Sequence, residues 1–289
     1  MRIFVAGATG AVGRHLVPLL LKAGHEVTGA SRTPDGTELV RCMGASAVRV
    51  DALDADGLRR AVAEAAPDAV IHQLTDLAGA DGRANTRLRR EGTRNLVDAA
   101  RAAGVRRIVA QSVSWAYAPG DGPADESVPL DHAAGPPRAS VIDGIRALEE
   151  TVAELETAVV LRYGILYGPG TWYAPGGAVA AALRGGPAAF LGGVTADDGV
   201  SSFVHVADAA SAAVAALDWP SGPVNVVDDE PARGREWLPV LAGALGVAAP
   251  GPVEGGAGWE RGALNSLAVA RGWRPDHPTW REGFGRQVV

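Results

Sequence analysis

Lysine is almost missing from this 289-residue chain: 26 arginines stand against the single Lys22. Any chemistry that needs a lysine must use that residue or be discarded. The bias towards alanine, glycine, arginine and proline points to a GC-rich genome as the source of the shortage. Cysteine is equally scarce. A lone Cys42 closes no intrachain disulfide, and no Cys/His group has zinc-site spacing, so no metal site is expected. No run of 18 apolar residues occurs, which argues against a membrane-spanning helix. Residues 1–5 run straight into a strand pattern, without a charged and then apolar leader, so the expected location is the cytoplasm. Excess basic charge is lacking too. The balance of 27 basic and 33 acidic residues gives −6, against the profile of a general nucleic-acid or anionic-membrane binder.

What is present is a regular alternation. Short apolar runs at Ile3–Ala6, Glu26–Ala30, Ala47–Val50, Ala69–Gln73, Arg107–Gln111 and Ala158–Arg162 read as strands. Helical patterns intervene at Ala11–Ala23, Leu58–Ala66, Asn85–Ala103 and Ala139–Glu156. Apolar strands alternating with helices predict an α/β fold, a Rossmann-like doubly wound parallel sheet covered on both faces. After Tyr167 the chain turns rich in Gly, Pro and Ala, with short helices expected at 178–183, 206–217 and 235–245. The expected division is a dinucleotide-binding domain over 1–166 and a substrate-binding region over 167–289, with 202–227 returning to the first domain.

Between the first strand and first helix stands Gly7-Ala8-Thr9-Gly10-Ala11-Val12-Gly13. Glycines there allow a tight turn, a close backbone approach to a pyrophosphate and close helix–sheet packing, and the helix N-terminus supplies N–H groups. The tip of the second strand tells the two dinucleotides apart, since an acid there suits NAD and an arginine suits NADP. Here it reads Ser31-Arg32-Thr33, with no acid. Ser31 can donate to a 2′-phosphate and Arg32 can pair with it as a fork, so NADPH/NADP+ is the expected cofactor.

These residues resemble the extended, epimerase/dehydratase-like short-chain dehydrogenases/reductases. The likeness includes the GxxGxxG spacing, Val70-Ile71-His72-Gln73-Leu74, Gly92-Thr93-Arg94-Asn95-Leu96, the segment Leu161 to Gly170, and Ser202-Phe203-Val204-His205-Val206-Ala207-Asp208. It implies that Asp51 and Ala52 lie against adenine and that Gln73, Leu74 and Tyr163 line the cofactor. It also implies a Tyr-x-x-x-Lys pair on the helix after the fifth strand, and there the chain departs. Aligned on Glu149 the pair becomes Val141 and Ile145; aligned on Glu150 it becomes Ile142 and Arg146. Neither register holds a tyrosine, and Lys22 belongs to the first helix. The family's helical asparagine falls at Arg89.

Hydride transfer asks little of protein side chains, because the cofactor supplies the hydride. Ketone reduction still needs a proton. Ser112 and Ser114, after the fifth strand, are the catalytic candidates, and both are expected to touch substrate together with Tyr117, His132, Tyr167 and His205. Tyr163 is a further polar candidate. A bound water or an acidic hydroxyl on the substrate would serve as well. The missing pair and an aromatic-rich second half (Trp172, Tyr173, Trp219, Trp237, Trp259, Trp273, Trp280) point to substrate-assisted reduction of an aromatic polyketide ketone, angucyclinone-like, in antibiotic biosynthesis. Alternatives are a non-catalytic NADP(H) sensor, a sugar-nucleotide epimerase or dehydratase, and a cyclase or isomerase using the fold as a pocket. The expected partner is a small aromatic ketone and the expected assembly a monomer or homodimer.

Overall fold

The computed structural model describes residues 1–76, 82–186 and 194–286. Six strands carry the first part: β1 (Arg2–Ala6), β2 (Glu26–Ser31), β3 (Ser46–Arg49), β4 (Ala69–His72), β5 (Arg107–Val113) and β6 (Thr157–Tyr163). Five more follow: β7 (Ile165–Tyr167), β8 (Val200–Ser201), β9 (Phe203–His205), β10 (Gly222–Val226) and β11 (Ala232–Arg233). Seven form one sheet in the order β10-β6-β5-β4-β1-β2-β3. The pairs β1–β2, β2–β3, β1–β4 and β4–β5 are parallel. This is the doubly wound arrangement expected from the alternation. Its order reverses between β1 and β4, and the carboxyl ends of those strands open the crevice where such sheets hold ligands.

The helices follow from local signals. In α1 (Ala11–Lys22) Val12, Leu16, Val17 and Leu20 share the buried face, and Gly24 at φ +82° stops the helix. Asp54 caps α3 (Ala55–Ala65) by accepting from Gly57 N–H at 3.0 Å. Residues 34–42, unassigned in the sequence reading, form α2 (Pro34–Cys42), with Thr33 as cap and Pro34 in its first turn. The single helix expected over 85–103 is instead α4 (Gly82–Arg87), a π-turn (Leu88–Gly92) and α5 (Thr93–Ala102). Helix α6 (Arg138–Val152) precedes β6.

Two compact units divide the chain, each assembled from three separate stretches. Unit 1 is Met1–Ser112, Gly135–Leu161 and Ala210–Pro223; unit 2 is Val113–Ala134, Arg162–Ala209 and Val224–Val289. Phe4, Val70, Leu96, Ile108 and Leu148 are central to the core of unit 1. The core of unit 2 is aromatic: Tyr167, Phe203, Trp237, Trp280 and Phe284 pack edge-on or tilted, with ring centroids 5.2–6.4 Å apart. Helices α7 (Ala178–Leu183), α9 (Gly234–Ala244) and α11 (Trp280–Arg286) contribute to it; α8 (Val206–Ala215) and α10 (Ser266–Ala270) complete the set. Trp219 and Trp273 are buried as well. Among the described residues no helix is long and apolar enough to cross a membrane.

Candidate active site

In unit 1 the carboxyl ends of β1 and β4 meet at Gly7. Its φ of +93° suits glycine, and a Cβ there would come within 2.4 Å of Gln73 O. A Cβ on Gly13 would lie 2.3 Å from Gly7 O, so helix α1 can start this close to the sheet only without one. Gly10 is different. It is exposed, and its Cβ direction meets only Gly7 O, at 3.4 Å. The protein's own packing does not demand glycine there; a ligand lying on the turn would. Arg14 Nε–H donates to Thr9 O at 2.9 Å and braces the turn. At the start of α1, Ala11 is half-buried while Val12 faces inward.

Unlike α2 and α3, helix α1 has no side-chain cap and no acid in its first turn. Its free N–H groups and positive end suit a pyrophosphate. The residues present therefore fit a dinucleotide. The Gly7–Gly13 turn and the start of α1 would hold its phosphates on backbone N–H groups, and the bound dinucleotide would supply hydride chemistry.

The rest of the cradle stays in unit 1. Gln73 N–H donates to Ala6 O at 2.7 Å, and Gln111 Nε2–H to Leu74 O at 2.9 Å, which fixes the loop after β4. Asp51 is exposed and accepts from Leu53 N–H at 2.9 Å, next to buried Ala52, whose carbonyl accepts from Asn95 Nδ2–H. Ser31 is buried, with its hydroxyl accepting from Thr33 N–H at 3.4 Å. Arg32 reaches Asp76 at 3.4 Å, a half-exposed pair that is cheap to break. A cavity of about 380 Å³ is lined here by Arg32, Arg49, Asp51 and Arg60 among others.

His72 closes β4. Its Nδ1 accepts from Leu74 N–H at 3.2 Å, which leaves Nε2–H to face Thr93 Oγ1 at 2.8 Å. Full burial, helped by the nearby Arg89 charge, pushes the imidazole down to about 4. Ser112, the last residue of unit 1 on β5, donates its hydroxyl proton to Glu149 Oε1 at 2.6 Å. That bond selects the register of α6. Residues 141, 145 and 149 share the inward face, whereas Glu150 is exposed and pairs with Arg146. In neither register does a tyrosine stand where the family's pair would be: one places half-buried Val141 and buried Ile145 there, the other buried Ile142 and half-buried Arg146.

The remaining candidates lie in unit 2. Tyr117 is buried and donates to Asn225 Oδ1 at 2.6 Å, under the Arg162 guanidinium 4.9 Å from its ring centre. Burial pushes its phenol up. Tyr163 is buried and donates to Ala209 O at 3.3 Å. Tyr167 is buried in the aromatic core, and burial with the Asp228 and Asp208 charges raises its phenol far above the ordinary range. His132 is exposed. Half-buried His205 stacks on His277 at 3.8 Å and accepts Ala207 N–H on Nδ1. Asp208 accepts from the N–H groups of Asp276 and His277 and faces His277 Nδ1 at 3.0 Å. This cluster clamps the segment before α11. Ser114 is buried and keeps a hydroxyl that no described residue engages. Sequence reasoning placed neither His72 nor Glu149 at the site. The signals were there, in a histidine closing a buried strand and an acid one turn beyond Ile145.

The sheet order, the uncapped α1 and the glycine turn define a dinucleotide-binding enzyme. Residues 3–227 match the NAD dependent epimerase/dehydratase family, and the chain belongs to it. It is 42% identical to a Streptomyces 3-diazoavenalumate denitrifying reductase, over 99% of this chain and all of that one. It is 33% identical to the 2′-dehydrokanamycin reductase of Streptomyces kanamyceticus, over 75% of this chain and 58% of that one. Among solved structures, the UDP-glucose 4-epimerase of Thermus thermophilus in complex with NAD superposes with a TM-score of 0.79 at 29% identity. That match covers 100% of this chain and 98% of the epimerase.

Proposed function

We propose that the protein is an NADPH-dependent reductase that removes dinitrogen from a diazo-bearing aromatic acid. The observation that carries this reading is the loss of the family's proton-transfer pair from a cofactor cradle that is otherwise kept, since neither register of α6 holds a tyrosine or a lysine. A ketone that accepts hydride becomes an alkoxide and needs a proton. A diazonium carbon does not. One C–H bond forms, the C–N bond breaks, its electron pair leaves with N2, and the positive charge is cancelled by the hydride. Near-attack positioning, which contributes roughly 7–11 kcal/mol in favourable cases, is then the protein's main task. The full-length likeness to a denitrifying reductase supports the same chemistry. Ser31 and Arg32 support NADPH over NADH, since neither an Asp nor a Glu stands at the tip of β2.

A second reading, reduction of an aromatic polyketide ketone of the angucyclinone type, has its own support. It draws on the Ser114 hydroxyl, which no described residue engages, and on the likeness to a 2′-dehydrokanamycin reductase. In that reading a hydroxyl beside the carbonyl supplies the proton.

Incubation with 4-deuterated NADPH, a diazonium-substituted benzoate and, separately, a peri-hydroxy aromatic ketone distinguishes the two. Release of N2 with deuterium at the former diazo carbon is the expected result. Alcohol formed from the ketone alone, and slowed by masking the neighbouring hydroxyl, supports the second reading. Tight NADPH binding without turnover of either acceptor, and a co-purifying partner protein, would leave a sensor.

A further inference from the structure

Four arginines crowd the stretch from Arg87 to Arg94, and three of them are ordinary. Arg87 pairs with Glu91 at 2.8 Å, Arg90 approaches Asp143 at 3.9 Å, and Arg94 meets Glu154 at 2.6 Å, all at the surface. Arg89 differs from its neighbours. It is only 9% exposed, and among the described residues no acid, carbonyl or ring engages its guanidinium. A guanidinium mostly withdrawn from water and without a protein partner is costly, and the little exposure that Arg89 keeps leaves its nitrogens open to a ligand. A core position filled only for packing would be occupied by leucine or methionine.

The backbone shows how the residue comes to face inward. Arg89 lies in the π-turn Leu88–Gly92, whose wider winding shifts side chains around the helix axis relative to an unbroken α-helix. Such turns are often found at functional sites. Gly92 closes the turn, and a Cβ there would lie 2.7 Å from Leu88 Cδ1. Thr93, four residues beyond Arg89 on the same run of helix, meets the Nε2 of His72, the last residue of β4, at 2.8 Å, which brings this turn up to the carboxyl edge where Gly7 and Gln73 meet. Desolvation lowers its own affinity for the proton only to about 10, so it stays charged at neutral pH.

We propose that Arg89 is an anion-binding residue of this carboxyl-edge site, its guanidinium fork taking an oxyanion of a bound ligand, either a cofactor phosphate or a substrate carboxylate. The proposal rests on the reading of the β1/β4 crevice as a ligand site and holds for either acceptor of the proposed reaction. A planar fork grips two oxygens at once, and in a desolvated position that contact is strong because water does not compete. It would hold an acidic substrate or the dinucleotide without acting on a proton, in keeping with a site that has lost its acid–base pair.

The test compares full-length wild type with Arg89→Leu and Arg89→Lys. Thermal melts are recorded alone and with NADPH, inorganic pyrophosphate or cinnamate, and affinities come from fluorescence titration. Arg89→Leu without ligand should melt at or above the wild type, because a stranded charge has been removed. It should lose tenfold or more in affinity for at least one probe, with Arg89→Lys in between. Loss confined to NADPH and pyrophosphate assigns the phosphate; loss confined to cinnamate, with methyl cinnamate indifferent, assigns the carboxylate. A lower melting temperature for ligand-free Arg89→Leu, or affinities for all three probes within twofold of wild type, overturns the proposal. Arg89-dependent binding in a protein that reduces no acceptor would sink the reductase reading alone.

Discussion

At the scale of single residues, the proposed preference for NADPH turns on Arg32. Its only described ion pair, with Asp76, spans 3.4 Å between half-exposed groups, so a 2′-phosphate displaces that carboxylate at little cost. Arg32→Ala should weaken NADPH about tenfold or more, the equivalent of about 1.4 kcal/mol, and leave NADH within twofold. Parallel titrations of both nucleotides check this, and an equal loss for the two would reject the 2′-phosphate role. The glycines of the turn and the identity of Arg32 were legible in the sequence, since both rest on residue type at fixed spacing. The commitment of individual hydroxyls was not. Ser112 and Ser114 look alike in sequence, yet Ser112 donates a hydrogen bond to Glu149 while no described residue engages the Ser114 hydroxyl. Likewise Tyr117 and Tyr163 read as polar candidates until their partners, Asn225 and the Ala209 carbonyl, were seen across more than 40 residues of chain.

At the scale of elements, the Ser112–Glu149 hydrogen bond ties the end of β5 to α6 and sets which face of that helix turns inward. Ser112→Ala removes a charge-assisted hydrogen bond to a part-buried carboxylate and should destabilise the protein by about 1–3 kcal/mol. Turnover should stay within a few-fold of wild type, because the hydroxyl already serves the helix. Urea denaturation with parallel kcat measurements separates the two effects. A hundredfold fall in kcat at unchanged stability would make Ser112 a catalytic residue instead. The strands and the helices α1, α3 and α6 were readable because their apolar periods, caps and stop glycines agree. Helix α2 escaped because its apolar face is short, with only Thr37 and Val40 buried, although Thr33-Pro34 is a proper start signal. The π-turn escaped for a different reason. The run Leu88-Arg89-Arg90-Glu91-Gly92 has an ordinary helical composition, and only the tertiary position of Arg89 reveals the extra residue in the turn.

At the scale of the whole molecule, the two units respond to pH with opposite sign. His72 in unit 1 is held neutral, with its proton affinity lowered from the usual 6.5 to about 4. A depressed histidine contributes stability that is present above 6.5 and lost as pH falls towards 4, when the unfolded chain binds a proton that the folded one refuses. Protonation would also break the bond that Nδ1 accepts from Leu74 and set a second cation beside Arg89. The loss from this group is of order 3 kcal/mol. Asp228 in unit 2 shows the reverse. Burial raises its carboxyl from 3.8 to about 8, partly opposed by the N–H groups of Glu230 and Trp280. Its contribution is fully present below about 4 and lost as pH rises through 8. Hydrogen exchange read peptide by peptide should therefore show β4 and the start of α5 loosening between pH 6.5 and 4. The segment around Asp228 and the start of α11 should loosen instead as pH rises from about 4 to 8. Asp228→Asn, close in shape and without a charge to desolvate, should flatten the alkaline limb and leave the acid limb unchanged. An acid limb that moved with Asp228→Asn, or a single transition with one midpoint in both units, would show that one cooperative titration governs the molecule rather than two opposed ones.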